Sequence, residues 1–145
     1  VKISTERRVY LKTIEVAAAL IFQDGKLLAA QRGYGDYKGW WEFPGGKLEP
    51  NENAKQALIR ELKEEMNCEI EVDSYFDDIE FDYPKFHLHM FCFLCHLKEN
   101  EQIHVLEHDS IAWLNKEQLN DVMWLEADLS ILEKLKNYDP DPFRA

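Results

Sequence analysis

Apolar residues run along this chain in two rhythms. Residues 14–22 and 26–32 are dense in Val, Ala, Leu and Ile, and "QDGK" joins them. Its Asp-Gly pair is a strong hairpin signal, so the two runs predict paired strands that deliver Arg32 to a strand end. Downstream, "CEIEVDSYF" and "DIEFDY" alternate apolar with acidic residues, as two strands with one wet face each would. "KFHLHMFCFLCHL" is apolar on both faces and reads as a buried central strand, with "SIAWL" at 110–114 as a shorter one.

The second rhythm is helical. From Asn51, read as the N-cap, to Met66 the chain has helix-forming composition, with Leu58, Ile59, Leu62 and Met66 as its apolar stripe and Lys63, Gln56 and Glu52 on the far side. Asn115 with Gln118 makes a capping box for a brief helix, and a closing helix over 126–136 should bury Leu129, Leu132 and Leu135. Between hairpin and first helix, "GYGDYKGWWEFPGG" at 33–46 is too rich in glycine and aromatics for a regular element and predicts a shaped loop. The economical assembly is α/β, a mixed sheet covered by helices on its faces.

Length and composition narrow this further. A chain of 145 residues, 46% hydrophobic and 31% charged, fits one domain, expected over 13–137 with tails at 1–12 and 138–145. The formal charge of −11 argues against a nucleic-acid polymer, whose phosphates need a basic surface. A phosphate-bearing ligand should then be small and accompanied by metal ions. Three cysteines, Cys68, Cys92 and Cys95, are too few for a disulfide framework and suit a reducing cytoplasm. "IEVAAALIF" carries Glu15 and reads as a strand rather than a signal segment, and no apolar run reaches the ~18 residues that span a bilayer. A soluble, cytoplasmic protein is expected.

The chemistry concentrates in "RELKEEMN" at 60–67. Glu61, Glu64 and Glu65 stand at helical neighbour spacing, where like charges cost a few tenths of a kcal/mol per pair. Such runs are commonly solvated helix faces. Here, at ~100° per residue, Glu61 and Glu65 fall beside the apolar stripe, near Ala54 and Ala57. Carboxylates half-turned toward a core need neutralising, and clustered oxygen donors suit a hard divalent cation such as Mg²⁺.

The surroundings sharpen this. From Gly46, "GKLEPNENAKQALIRELKEEMNC" resembles the Nudix box, G-x5-E-x7-R-E-U-x-E-E-x-G-U with U aliphatic; Gly46, Glu52, Arg60, Glu61, Leu62, Glu64 and Glu65 fall on its fixed positions. "WEFPGG" and the hairpin ending "AAQR" are similar to the MutT-type branch, and "IEVAAAL", "WWEFPGGKLEP" and "LEHDSIAWL" to its bacterial CTP pyrophosphohydrolase members. The resemblance covers Thr13 to about Lys136. Two positions depart from the box. Cys68 replaces an aliphatic residue, a mild change, and Asn67 replaces the glycine that closes the helix in a left-handed conformation, where Asn is the next best tolerated.

The resemblance implies an α/β/α sandwich with a central mixed sheet, and a Mg²⁺- or Mn²⁺-dependent enzyme that splits nucleoside triphosphates into monophosphate and pyrophosphate. On it, Glu61, Glu64, Glu65 and the carbonyl of Gly45 would hold metal, with Arg60 ion-pairing the carboxylates. Glu107, six residues before Trp113, would add a metal ligand or proton acceptor. Its neighbour His108 could also act as a base, although a surface histidine is the commoner outcome.

Arg32 and Lys47 would contact phosphates, Lys47 being equally consistent with an ordinary surface lysine. Phe43 would line the pocket wall, with aromatic residues of 75–86 available to stack on the base. Asp128 in "WLEAD" would read the base. A carboxylate accepts from an amine such as that of cytosine, which inclines the reading toward CTP or dCTP. An 8-oxo-dGTP sanitising hydrolase and a non-catalytic nucleotide sensor are the alternatives. Self-association into a homodimer stays open.

Other features carry less. Cys92 and Cys95 are three apart in a strand, so they point to opposite faces and cannot readily share a zinc ion. His87 and His89 share a strand face and could approach the cleft.

Overall fold

The computed structural model describes residues 11–144, so the expected tail at 1–12 falls almost wholly outside the described residues. Strands β1 (Thr13–Gln23) and β2 (Lys26–Gln31) form the expected hairpin. Asp24 and Gly25 turn it at φ 52° and 76°, both positive as a tight two-residue hairpin loop requires.

The 33–46 segment is less irregular than its composition predicts. It contains two short strands, β3 (Trp41–Glu42) paired to β2 and β4 (Gly45–Lys47) paired antiparallel to residues 16–18 of β1. Glycine fits there because β4 needs close backbone approach rather than side-chain packing. A Cβ on Gly45, at φ 154°, would stand 2.0 Å from the Ala17 carbonyl oxygen.

Helix α1 (Ala54–Met66) starts two residues later than expected. Asn53 is its N-cap, in a reciprocal box in which Asn53 Oδ1 accepts from the Gln56 amide at 2.8 Å and Gln56 Oε1 from the Asn53 amide at 3.0 Å. Asn51 instead occupies a left-handed turn at φ 67°. At the other end Asn67 takes the left-handed cap position, φ 43° and ψ 46°, with its N–H bonded to Lys63 O.

The two alternating acidic segments form one strand, β5 (Ile70–Tyr83), paired antiparallel with β6 (Phe86–Leu97). Register shifts between Val72 and Ser74 and between Tyr75 and Asp77 reset the alternation, which is why one strand reads as two. β6 is central as expected, parallel to β1 from Thr13↔His87 to Ile21↔Cys95. β7 (Ser110–Leu114) pairs with β2, giving a seven-stranded mixed sheet in the order β3-β2-β1-β6-β5 with β4 beside β1.

A 3₁₀ helix over Lys116–Asp121, with the predicted Asn115–Gln118 box, leads toward α2 (Glu126–Lys136). Alternate β1 residues feed two cores. Ala17, Ala19 and Ile21 pack under Leu58, Leu62 and Met66 of α1, while Ala18 and Leu20 join the core of Ile131, Leu132 and Leu135 from α2. The result is the expected helix–sheet–helix sandwich. Cys92 and Cys95 fall in opposite cores, as strand geometry demands, and Cys68 is fully buried.

Two apolar assignments change. Ile59 is 43% exposed and Leu129 51% exposed. The inward arc of α1 runs from Met66 across Leu62 and Leu58 to Ala57, which leaves Ile59 just past its edge and places Glu61 and Glu65 within it. In α2, Ala127, Ile131, Leu132 and Leu135 face in, with Asp128 in the middle of their arc. No helix among the described residues is long and apolar enough to cross a membrane.

Candidate active site

A cleft of about 630 Å³ opens between α1, the 33–47 segment, the 107–108 loop and the start of α2. Arg32, Phe43, Gly45, Lys47, Glu61, Glu64, Glu65, Glu107 and Asp128 all line it. Arg60 alone of the expected residues stands behind the wall.

That arginine organises the carboxylates from the rear. Its Nε lies 2.6 Å from Glu52 Oε2 and Nη2 2.8 Å from Glu52 Oε1, a bidentate fork, while Nη1 reaches Glu61 at 2.8 Å and Glu64 at 3.2 Å. Nη2 also donates to the Lys47 carbonyl at 3.0 Å, tying the segment before the helix to the helix itself. Hydrogen bonding to Arg60 holds the Glu52 carboxyl down to about 2. Glu52 therefore belongs to this network and does not take the solvated far side expected of it.

Glu61 and Glu65 sit in a less forgiving setting. Burial raises both above the usual carboxylate range, and Glu65, further repelled by Glu61, Glu42 and Glu107, is pushed up to about 9. Glu65 Oε2 is buried without a hydrogen-bond partner among the described residues. Gly46 makes room for its neighbour: a Cβ there would lie 2.3 Å from the Glu61 carboxyl carbon. Among the described residues no three His, Cys, Asp or Glu side chains are already gathered at metal-ligand spacing. The acids share a wall without converging, as mutual repulsion and the pull of Arg60 on Glu61 and Glu64 require. Buried, under-satisfied oxygen donors of this kind fit a hard divalent cation such as Mg²⁺ or Mn²⁺.

Glu107 is exposed on its loop, close enough to Glu61 and Glu65 for their charges to repel. Lys47 has an exposed side chain. Arg32 pairs with Glu42 at 3.0 Å, and its buried Nε–H has no partner among the described residues. His108 does not take the surface position expected of it. Its side chain is 7% exposed, and Nε2 lies 3.1 Å from the other oxygen of Glu42. Glu42 and Glu52 are the residues that sequence reasoning missed as site members. The box carries Glu52 at a fixed position, but nothing local in "WWEF" distinguishes Glu42 from a loop acid.

At the far end of the cleft Phe43 is 4% exposed against Trp124, ring centroids 5.2 Å apart. Asp128 is 3% exposed, its Oδ2 without a partner among the described residues, and burial drives its carboxyl well above the ordinary range. The Phe43 backbone bonds to it and offsets part of that rise. A carboxyl in the middle of an apolar stripe is a signal that helical periodicity could have found. Of the 75–86 aromatics, Tyr83 and Phe86 line the cleft, and the Tyr83 hydroxyl accepts from the Ala127 amide at 3.2 Å. His87 and His89 do not approach it. They lie on the β6 face opposite Leu88 and Met90, paired with Asp82 and Glu80 and with Asp78.

A family model described as NUDIX domain matches residues 12–135. The chain belongs to the Nudix family. It is 37% identical over 125 residues to the CTP pyrophosphohydrolase of Escherichia coli strain K12, spanning 85% of this chain and 91% of that protein. It is 38% identical over 92 residues to an 8-oxo-dGTP diphosphatase of Proteus vulgaris, 62% of this chain and 82% of that one. The solution structure of the E. coli ORF135 protein matches with a TM-score of 0.70 at 38% identity, covering 85% of this chain and 88% of that one. The fold described above is thus that of a Nudix hydrolase.

Proposed function

We propose that this Nudix hydrolase cleaves (deoxy)nucleoside triphosphates to a monophosphate and pyrophosphate, with residues 13–137 as its single catalytic domain and a preference for cytosine nucleotides. The observation that carries the reading is one cleft with two unlike ends, a carboxylate wall suited to metal-bound phosphates and a buried carboxyl among apolar residues suited to a base.

Glu61, Glu64, Glu65, Glu107 and the Gly45 carbonyl are the groups that would hold Mg²⁺ or Mn²⁺. When bound, such an ion neutralises phosphate charge and makes the attacking water more acidic. Arg60 keeps Glu61 and Glu64 oriented. Arg32 presents its unpartnered N–H to a phosphate, and Lys47 adds a mobile positive charge at the rim. Glu107 would serve as a metal ligand or as the acceptor of the proton from the water. Cleavage then adds the water oxygen to one phosphorus as the bridging oxygen leaves on the other.

Asp128 supports the base preference. Burial favours its neutral form, which offers one donor and one acceptor. The Watson–Crick edge of cytosine offers the complementary pair, an amine and a ring nitrogen, whereas that of guanine offers two donors and calls for the ionised form. The relationship to an 8-oxo-dGTP diphosphatase supports the rival substrate. A sensor without turnover is disfavoured, because the box acids are all in place.

Turnover of CTP, dCTP, 5-methyl-dCTP and 8-oxo-dGTP, read as pyrophosphate release with Mg²⁺, tests the proposal. Cytosine nucleotides should lead. A strong preference for 8-oxo-dGTP would overturn the base assignment, and no release from any nucleotide would overturn the activity.

A further inference from the structure

The 107–109 segment is fastened to the hairpin more firmly than a connecting loop requires. Within 104–109 His108 alone is not exposed. Its ring turns inward and its Nε2 meets Glu42 on β3 at 3.1 Å, while the second Glu42 oxygen accepts from Arg32 at 3.0 Å. One residue on, the Asp109 amide donates to the Gln31 carbonyl at 2.9 Å. Beneath them lies Gly33, where a Cβ would stand 2.9 Å from the Glu107 carbonyl oxygen and 3.0 Å from Asp109 Oδ1. The segment therefore rests directly on bare backbone.

A lone exposed glutamate on a loop samples many rotamers, and ordering it costs conformational free energy. Fixing the backbone immediately after it, at His108 and Asp109, removes the backbone part of that cost and narrows the directions the side chain can take. The buried His108 Nδ1 has no partner among the described residues, an unfavourable arrangement for a loop histidine with no task.

We propose that His108 is a positioning residue: clasped by Glu42, with its neighbours Glu107 and Asp109 resting on Gly33, it sets the Glu107 carboxylate against the acidic wall of α1. The inference rests on the assignment of Glu107 to the reaction and adds the device that places it.

A double-mutant cycle tests it. Glu107→Gln should lower kcat on the order of 10²-fold, an effect of the size seen for removal of one catalytic electrostatic group. His108→Ala should lower kcat by a similar factor with KM for the nucleotide little changed, and in the Glu107→Gln background it should cost nothing more. His108→Gln, which retains a donor for Glu42, should recover most of the rate. Independently of activity, the Asp109 amide should exchange with deuterium at least ten times faster in His108→Ala.

Full additivity of the two substitutions, a wild-type kcat in His108→Ala, or an unchanged Asp109 exchange rate would overturn the proposal and leave the Glu107 role standing. A wild-type rate in Glu107→Gln would remove that role and the proposal with it. Should His108→Ala fail to fold, Gly33→Ala lifts the same segment, and its kcat loss should likewise vanish in the Glu107→Gln background; a persisting loss overturns the proposal.

Discussion

Two adjacent glycines with opposite duties mark the residue scale. A methyl at Gly45 would collide with backbone, the Ala17 carbonyl oxygen at 2.0 Å, and β4 cannot retreat without losing its pairing to β1. Gly45→Ala should therefore destabilise the fold by more than about 2 kcal/mol, read by chemical denaturation. A methyl at Gly46 would instead meet the tip of a side chain, the Glu61 carboxyl, which can swing aside by giving up Arg60. Gly46→Ala should keep most of its melting temperature and lose activity, and the reverse pattern would refute this division. Glu65→Gln should cut turnover on the order of 10²-fold or more while leaving the fold intact, because its carboxyl is the one most in need of a counter-charge. A near-wild-type rate would remove it from the metal site. Asp128→Asn should alter base preference more than turnover, and an unchanged substrate profile would count against its reading role.

At the scale of elements, α1 shows how much of the site was legible beforehand. Glu61, Glu64, Glu65 and Arg60 were recognisable because the box spacing is local, and the structure places the three glutamates along one wall with Arg60 behind it. The start of the helix was misplaced by choosing Asn51 over Asn53, although Gln56 completes the capping box only for the latter. Asn53→Ala should cost about 1 kcal/mol, and Asn67→Gly should add a few tenths to about 1 kcal/mol by relieving a left-handed non-glycine residue. His108 and Glu42 were not legible as partners, since 66 residues separate them and only the β2 pairings to β3 and β7 bring them together.

The β5–β6 hairpin carries its own pH dependence. Glu80 and then Asp82 hold the His87 imidazole above its usual pKa. A raised folded-state pKa supplies stability that is complete below the unfolded value of ~6.5 and fades as pH climbs through the folded one. The melting temperature of the native protein minus that of His87→Gln should shrink between pH 6 and 9. A constant difference would show that His87 contributes by packing alone.

Over the whole molecule the two ends of the cleft rest on different supports. The acidic wall belongs to β4 and α1, packed on one side of the sheet, whereas Asp128 belongs to α2 on the other, reached through the shared strand β1. A mixed sheet covered by helices was foreseeable, but its strand order and the meeting of these two ends were not, because the crossing between faces is made by tertiary packing and leaves no local pattern. On the proposed roles, chemistry and selectivity are separable inheritances. Exchanging the stretch that carries Asp128 for that of a relative with another base preference should redirect which nucleotide is accepted, while the proposed phosphate-cleaving machinery should pass through unchanged.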